Sequence, residues 1–173
     1  MRIALIMVMS LNGKISRTHD SKVDWNSAED LEWFKKITKF LGVVVVGRKT
    51  FETFKAPLKD RVNIVMTRTP SAYTSDKNLI YTSNSPEQIV EMVEKMGHDS
   101  LAVIGGQKVF TAFLNARLID EVYITYEPLF IDGIDPFDTL GFDLRMRMVD
   151  LNFINSNSFV VHYIIDEFKN GIL

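Results

Sequence analysis

The sequence predicts an α/β domain, in which a mostly parallel sheet carries helices on both faces and ends in an antiparallel C-terminal edge. Three observations predict it. Apolar runs such as RIALIMVM (2–9) and VVVV (43–46) read as strands buried on both faces, as parallel strands are. Segments with apolar residues every three or four positions alternate with these runs, the signature of strand–helix–strand units. Two strand-like segments around Asn155-Ser156-Asn157 then close the chain as a hairpin. The length of 173 residues, little more than the roughly 150 of one domain, predicts a single domain over 1–173.

Each element has its own reason. After the first strand, residues 10–26 are polar and aperiodic, so they form a long loop, and loops of that length in a compact domain tend to be functional. Ser27 is a good N-cap, and Asp30 three residues on fits a capping box. Leu31, Phe34, Ile37 and Leu41 then keep the helical period until Gly42. After the strand 43–46, GRKTFETF (47–54) turns into a second helix that Pro57 stops, and VNIVMT (62–67) is the next strand. Residues 68–78 form a loop and LIYT (79–82) a strand. Ser85-Pro86 opens a helix with a cap and a proline at its first position, and Gly97 closes it. LAVI (101–104) is a strand, Gly105-Gly106 a tight turn and 107–115 a short helix. EVYITYEPLF (121–130) reads as one long strand, and 145–154 and 158–166 as the hairpin.

Composition excludes several classes of function. Hydrophobic residues at 46% and charged residues at 24% suit a globular core rather than a disordered chain. The net charge of −2 argues against a protein dedicated to long nucleic acid, which would be basic. The absence of cysteine removes disulfides, thiol nucleophiles and thiolate metal sites. Three scattered histidines, His19, His98 and His162, suggest no metal centre. No apolar run approaches the roughly 20 residues needed to cross a bilayer, so no membrane partner is expected. MRIALIMVMSLNG lacks a small-residue cleavage site and reads as a first strand rather than a signal peptide, which places the protein in the cytoplasm. Leu129, Phe130, Ile131 and Phe137, with the apolar C-terminal strands, leave a homodimer open.

Two segments look like nucleotide phosphate sites. In VVVVGRKT, Gly47, Arg48, Lys49 and Thr50 follow a buried strand at a helix start, where free backbone N–H groups and two cations attract phosphate. In AVIGGQKVF, Gly105 and Gly106 let backbone approach a ligand closely before a helix begins. Each could equally be a tight turn with solvated charges. Neither GxGxxG nor GxxxxGK[ST] is present, but two such turns in one sheet could hold the two halves of a dinucleotide.

Asp30 is the acid–base candidate. It shares one helix face with Phe34 and Ile37, and a carboxylate beside a buried aromatic loses solvation, which raises its pKa. Such a group suits a planar, amidine-like substrate that donates two hydrogen bonds. The alternative is that Asp30 only caps the helix with Ser27. Arg61, at the entrance to a strand, could hold a carboxylate bidentately, and Arg68, just past Thr67, a phosphate. For both, a surface arginine is the default. Trp25, Trp33 and the Met-rich first strand read as core.

WNSAEDLEWFKKIT, GRKTFETF, APLKDRVNIVMTR, VIGGQKVF and IDEVYIT, in this order, resemble dihydrofolate reductase, and NSNSF before the last strand is similar too. The resemblance spans roughly residues 1–167. It implies a three-layer fold with a central eight-stranded sheet, NADPH lying across it, and a small-molecule substrate. By motif position it makes Asp30 the buried acid that bonds the pterin's 2-amino group and N3, and Thr125 the threonine that supports it. Phe34 packs on the pterin, and Arg61 holds the α-carboxylate of the glutamate tail. Met7 and Val8 supply first-strand backbone, and Ile104 a strand-end carbonyl. Gly47, Arg48, Lys49 and Thr50 match one cofactor turn, and Thr67 and Arg68 the 2′-phosphate contacts. Gly105 and Gly106, with Gln107, Lys108 and Val109, match the diphosphate turn. The implied activity is NADPH-dependent reduction of 7,8-dihydrofolate to 5,6,7,8-tetrahydrofolate by hydride transfer to C6.

The chain also departs from that pattern. Before the tryptophan it reads KVDW in a longer loop, where the family often reads LPW. SLNGKIS (10–16) is instead similar to the pyrimidine reductase of riboflavin biosynthesis, a relative of the same fold that also uses NADPH. Lys14 or Arg61 would then hold a ribose phosphate. A third reading, from another class, is a nucleotide-binding protein without turnover.

Overall fold

Eight strands form one sheet, in the spatial order 79–82, 62–66, 43–47, 100–103, 2–10, 121–127, 159–170 and 142–153. The computed structural model describes residues 1–170. In chain order they are β1 (Arg2–Ser10), α1 (Ala28–Leu41), β2 (Val43–Gly47), α2 (Arg48–Glu52), β3 (Val62–Met66), β4 (Leu79–Thr82), α3 (Pro86–Lys95), β5 (Ser100–Val103), α4 (Gln107–Asn115), β6 (Glu121–Glu127), β7 (Phe142–Phe153) and β8 (Phe159–Asn170). β1 to β6 pair in parallel, and β8 joins β6 and β7 antiparallel, as the hairpin signal predicts.

The side-chain alternation of β2 shows how the sheet is buried. Val43 and Val45 face the layer of α3 and α4, with Ile89, Val93, Phe113 and Leu114. Val44 and Val46 face the layer of α1, with Leu41, Trp33, Phe34 and Ile37. Burying one such side chain fully is worth about 1.5–3 kcal/mol, so a strand apolar on both faces is fixed at the centre of the sheet. Because β1, β2, β3, β5 and β6 are parallel, the loops after them all leave at the same end. That end is where ligands sit in such sheets.

Several boundaries differ from the sequence expectation, each for a physical reason. α2 stops at Glu52, well before Pro57, because the Thr53 N–H and hydroxyl both turn back to the Thr50 carbonyl, at 3.1 and 2.7 Å. β6 stops at Glu127 rather than 130: Pro128 has no N–H for the ladder, and the Leu129 N–H folds back to the Glu127 carbonyl. The hairpin strands run further than expected, over 142–153 and 159–170, with two irregularities of register in β7. The Asn155 side chain closes their turn, its Oδ1 accepting from the Asn157 and Ser158 N–H groups at 2.8 Å.

The long loop after β1 is pinned to the segment after β6. Ile15 N–H donates to the Ile134 carbonyl and Ile134 N–H to that of Ser16, while Lys14 pairs with Asp135 at 2.6 Å. Gly133 permits this approach, since a Cβ there would stand 2.0 Å from the Ser16 carbonyl oxygen. Ile131 is buried and Phe137 packs edge-on against Phe110, so this segment faces inward more than an association surface would, although Phe130 is 76% exposed. Among the described residues, no helix is long and apolar enough to cross a membrane.

Candidate active site

Two cavities meet at the C-terminal ends of the parallel strands. One, of about 420 Å³, lies between α1, β1, β6 and the turn after β5, with Asp30, Phe34, Arg61, Met7, Val8, Ile104 and Thr125 among its walls. The other, of about 860 Å³, runs along the starts of α2 and α4. Gly47, Arg48, Lys49, Thr67, Arg68, Lys108 and Val109 line it. His19, Thr50, Gly106 and Gln107 line both, so the two are continuous. The expected site residues are thus brought together around one cleft.

Asp30 does not form the expected capping box. Ser27 caps α1 through its side chain, which accepts from the Asp30 N–H at 3.2 Å. The Ser27 N–H, which a box would direct to Asp30, goes to the Glu127 carboxylate at 2.7 Å. Asp30 is therefore free to line the cavity, only 4% exposed, with Oδ2 accepting from Asn26 Nδ2 at 2.8 Å. Burial pushes its pKa above the ordinary carboxylate value. Asn26 and Thr125 oppose that rise, and the charge of Glu127 adds to it. Thr125 is 1% exposed; its hydroxyl stands close enough to Asp30 to oppose that rise but outside hydrogen-bond geometry, and Trp25 Nε1 is likewise buried without a protein hydrogen bond among the described residues.

Arg61 is not a surface arginine. It is 8% exposed; Nη1 donates to Thr38 Oγ1 at 2.6 Å, and Nε to the Lys59 carbonyl at 2.9 Å. Burial lowers its pKa, yet it has no carboxylate hydrogen-bonded to it among the described residues. A buried guanidinium that faces the cavity and hydrogen-bonds only neutral groups is suited to an anionic part of a ligand.

The second cavity carries groups suited to an anionic ligand. α4 begins at Gln107 with Gly106 as its cap and no side chain bonded to the exposed N–H groups. A Cβ on Gly106 would stand 2.9 Å from Thr50 Oγ1, so only glycine lets the two turns approach. Of the cations, Arg48 pairs with Glu52 at 2.6 Å and Lys49 with Asp20 of the long loop at 2.8 Å. All four charges are substantially exposed, so these pairs are worth little and exchange readily for phosphate.

Asn26 and Glu127, and the cavity-lining His19, Lys22 and Lys35, carry no sequence signal that marks them as site residues. Asn26 lies four residues before Asp30, at a helix start where polar residues are ordinary. Glu127 meets Ser27 across a separation of 100 residues, which no local pattern reveals.

A family model described as dihydrofolate reductase matches residues 2–132. The dihydrofolate reductase of Haemophilus influenzae is 31% identical over 143 residues, which cover 83% of this chain and 82% of that one. The bifunctional dihydrofolate reductase-thymidylate synthase of Paramecium tetraurelia is 33% identical over 129 residues, 70% of this chain, and the match takes in only 25% of that longer protein. Among solved structures, a putative riboflavin biosynthesis protein from Shewanella sp. PV-4 superposes with a TM-score of 0.79 at 20% identity, covering 96% of this chain and 100% of that one. Dihydrofolate reductase from Enterococcus faecalis, complexed with NADP(H) and RAB-propyl, superposes with a TM-score of 0.71 at 24% identity, covering 96% and 97%. At these identities the structural likeness is one of fold.

Proposed function

Because the chain belongs to the dihydrofolate reductase family, we propose that it reduces 7,8-dihydrofolate to 5,6,7,8-tetrahydrofolate with NADPH as reductant. The observation that carries this reading is Asp30, a buried carboxylate beside Phe34 in the wall of a cavity that the Gly105–Gly106 turn also lines. When bound, NADPH supplies the hydride that C6 of the pterin accepts.

The chain's own residues do the rest. The Asp30 carboxylate accepts from N3 and the 2-amino group of the pterin, a planar pair of donors that matches its two oxygens. Asn26 fixes the orientation of that carboxylate, and the Thr125 hydroxyl beside it favours its ionised form. Asp30 raises the basicity of N5 electrostatically, and N5 takes its proton from water. Phe34 packs on the ring, Met7, Val8 and Ile104 present backbone to it, and Arg61 holds the α-carboxylate of the tail. Gly47, Arg48, Lys49 and Thr50 hold one cofactor phosphate, Thr67 and Arg68 the 2′-phosphate, and Gly105 to Val109 the diphosphate. Holding both reactants in register supplies much of the rate gain, and the 10–26 loop, pinned over the cleft, excludes water.

SLNGKIS favours a second reading, the pyrimidine reductase of riboflavin synthesis. In that reading Lys14 or Arg61 holds a ribose phosphate; Lys14 pairs with Asp135 and is not among the residues lining the cavity, which leaves Arg61 for that role. The placement of Asp30 beside Phe34 in the cavity wall is what favours dihydrofolate. Methotrexate tests the choice: tight binding, competitive with dihydrofolate, is expected, and no binding at high concentration would support the pyrimidine.

A further inference from the structure

Glu127 is a buried carboxylate, 3% exposed, with no ion-pair partner among the described residues. It lies two residues after Thr125 on β6, so both point to the α1 side of the sheet. Three neutral donors satisfy it. Oε1 accepts from the Ser27 N–H and the Ser27 hydroxyl, each at 2.7 Å, and Oε2 accepts from the Ser158 hydroxyl at 2.5 Å. Ser27 in turn receives the Asp30 N–H. A continuous chain of hydrogen bonds therefore runs from the β7–β8 turn through Glu127 to the first turn of the helix that carries Asp30.

An isolated buried charge is costly, but a glutamine here would accept at one side only, and its NH2 would require the Ser158 hydroxyl to turn from donor to acceptor. A carboxylate there has consequences that a neutral group would not have. We propose that Glu127 is a positioning residue of the active site, fixing the first turn of α1 through Ser27 and so the place and direction of the Asp30 carboxylate. Its charge also disfavours a second charge on Asp30. The other charged or titratable groups facing that region are Lys35 on α1, His19 and Lys22 on the 10–26 loop, and Arg61 before β3, all in the cavity wall. Glu29 lies on the exposed side of α1, where Asn155 Nδ2 donates to it at 3.4 Å. Glu127 is the acid among these that is tied to the turn holding Asp30. The inference rests on the assignment of Asp30 under the proposed function.

Two variants separate charge from scaffold. Glu127→Gln keeps an acceptor for Ser27 and removes the charge, whereas Glu127→Ala removes both. With aspartate carboxyl carbons labelled, NMR should show Asp30 taking its proton at lower pH in Glu127→Gln than in the parent. Glu127→Ala should lower kcat/KM for dihydrofolate by about tenfold or more, mostly through KM, with NADPH affinity unchanged. Glu127→Gln should recover most of that loss at neutral pH. If Glu127→Ala proves insoluble, the titration of Glu127→Gln decides alone. Parent-like Asp30 titration and parent-like kcat/KM, even with a lowered Tm, would overturn the proposal and leave Glu127 a structural tie. A parent protein inactive on dihydrofolate would count against the proposed function instead, and the titration would still judge Glu127.

Discussion

Arg61 and Thr38 meet in the interior behind Phe34. The guanidinium donates to the Thr38 hydroxyl at 2.6 Å, and that hydroxyl donates to the Phe34 carbonyl at 2.7 Å. The cation that would hold a substrate's tail is thus fastened to the helix that carries the ring-binding residues Asp30 and Phe34. Both ends of the substrate are measured from one rigid element, so their spacing does not depend on loop conformation.

Arg61→Lys tests that arrangement. A lysine lacks the planar fork and cannot reach Thr38 and a carboxylate together. KM for dihydrofolate should rise about tenfold with kcat nearly unchanged, the pattern of lost uniform binding. A dihydropterin without the glutamate tail should show no such change. Equal losses on both substrates would mean that Arg61 supports the fold rather than the tail.

Asp30→Asn should separate activity from stability. Turnover at neutral pH should fall at least about tenfold, since a charge-assisted pair worth about 1.5–3 kcal/mol is removed. Stability should move the other way. Burial raises the folded pKa of Asp30, so the folded state holds its proton more tightly than the unfolded chain does. That contribution is complete below the ordinary carboxylate pKa and is lost as pH rises through the folded value. At neutral pH the ionised group therefore costs stability, and asparagine relieves it. A gain of about 1 kcal/mol would raise Tm by about 2–4 °C in a chain of this size. Melting curves at neutral and acidic pH check this: the variant's advantage should shrink in acid.

Gly106→Ala should damage the cofactor side more than the substrate side. The new Cβ would stand 2.9 Å from Thr50 Oγ1, forcing apart the two turns that line the cofactor groove. NADPH affinity by titration calorimetry should fall at least about tenfold, or about 1.4 kcal/mol. Methotrexate affinity of the cofactor-free protein should stay within about twofold, about 0.4 kcal/mol. Unchanged NADPH affinity would remove this turn from the cofactor site.

Arg68 lies in the wall of the cofactor groove just past β3. If it meets the 2′-phosphate, Arg68→Ala should cut the preference for NADPH over NADH by about tenfold or more, the worth of one charge-assisted bond. The ratio of kcat/KM values for the two cofactors is the readout. A preference that survives would place the 2′-phosphate elsewhere.

The sheet was legible because its signals are local. VVVV, four β-branched residues between Gly42 and Gly47, reads as a strand buried on both faces, and Ser85-Pro86 opens α3 as a cap and proline should, with Gln88 completing a capping box. The end of β6 is hard to read because β-branched, aromatic and apolar residues of EVYITYEPLF continue on both sides of Glu127, and only the missing N–H of Pro128 marks where pairing stops. Asp30 and Phe34 were legible as one helix face, since four residues make about one turn. What Asp30 bonds to was not. Ser27 and Asp30 satisfy the local rule for a capping box, yet Glu127, 100 residues away, takes the Ser27 N–H and leaves Asp30 to the cavity. Arg61 looked like a surface residue because nothing in PLKDR shows that Thr38 stands over it.

In the proposed reaction a pterin bonds Asp30 while a reduced nicotinamide reaches it from the Gly105–Gly106 side. The most direct measurement is the loss of NADPH absorbance on adding 7,8-dihydrofolate, with the product identified by mass. Oxidation that depends on dihydrofolate, yields one tetrahydrofolate per NADPH and is faster than with NADH is expected. NADPH left intact by dihydrofolate, but consumed with a ribosylaminopyrimidine phosphate, would contradict the account.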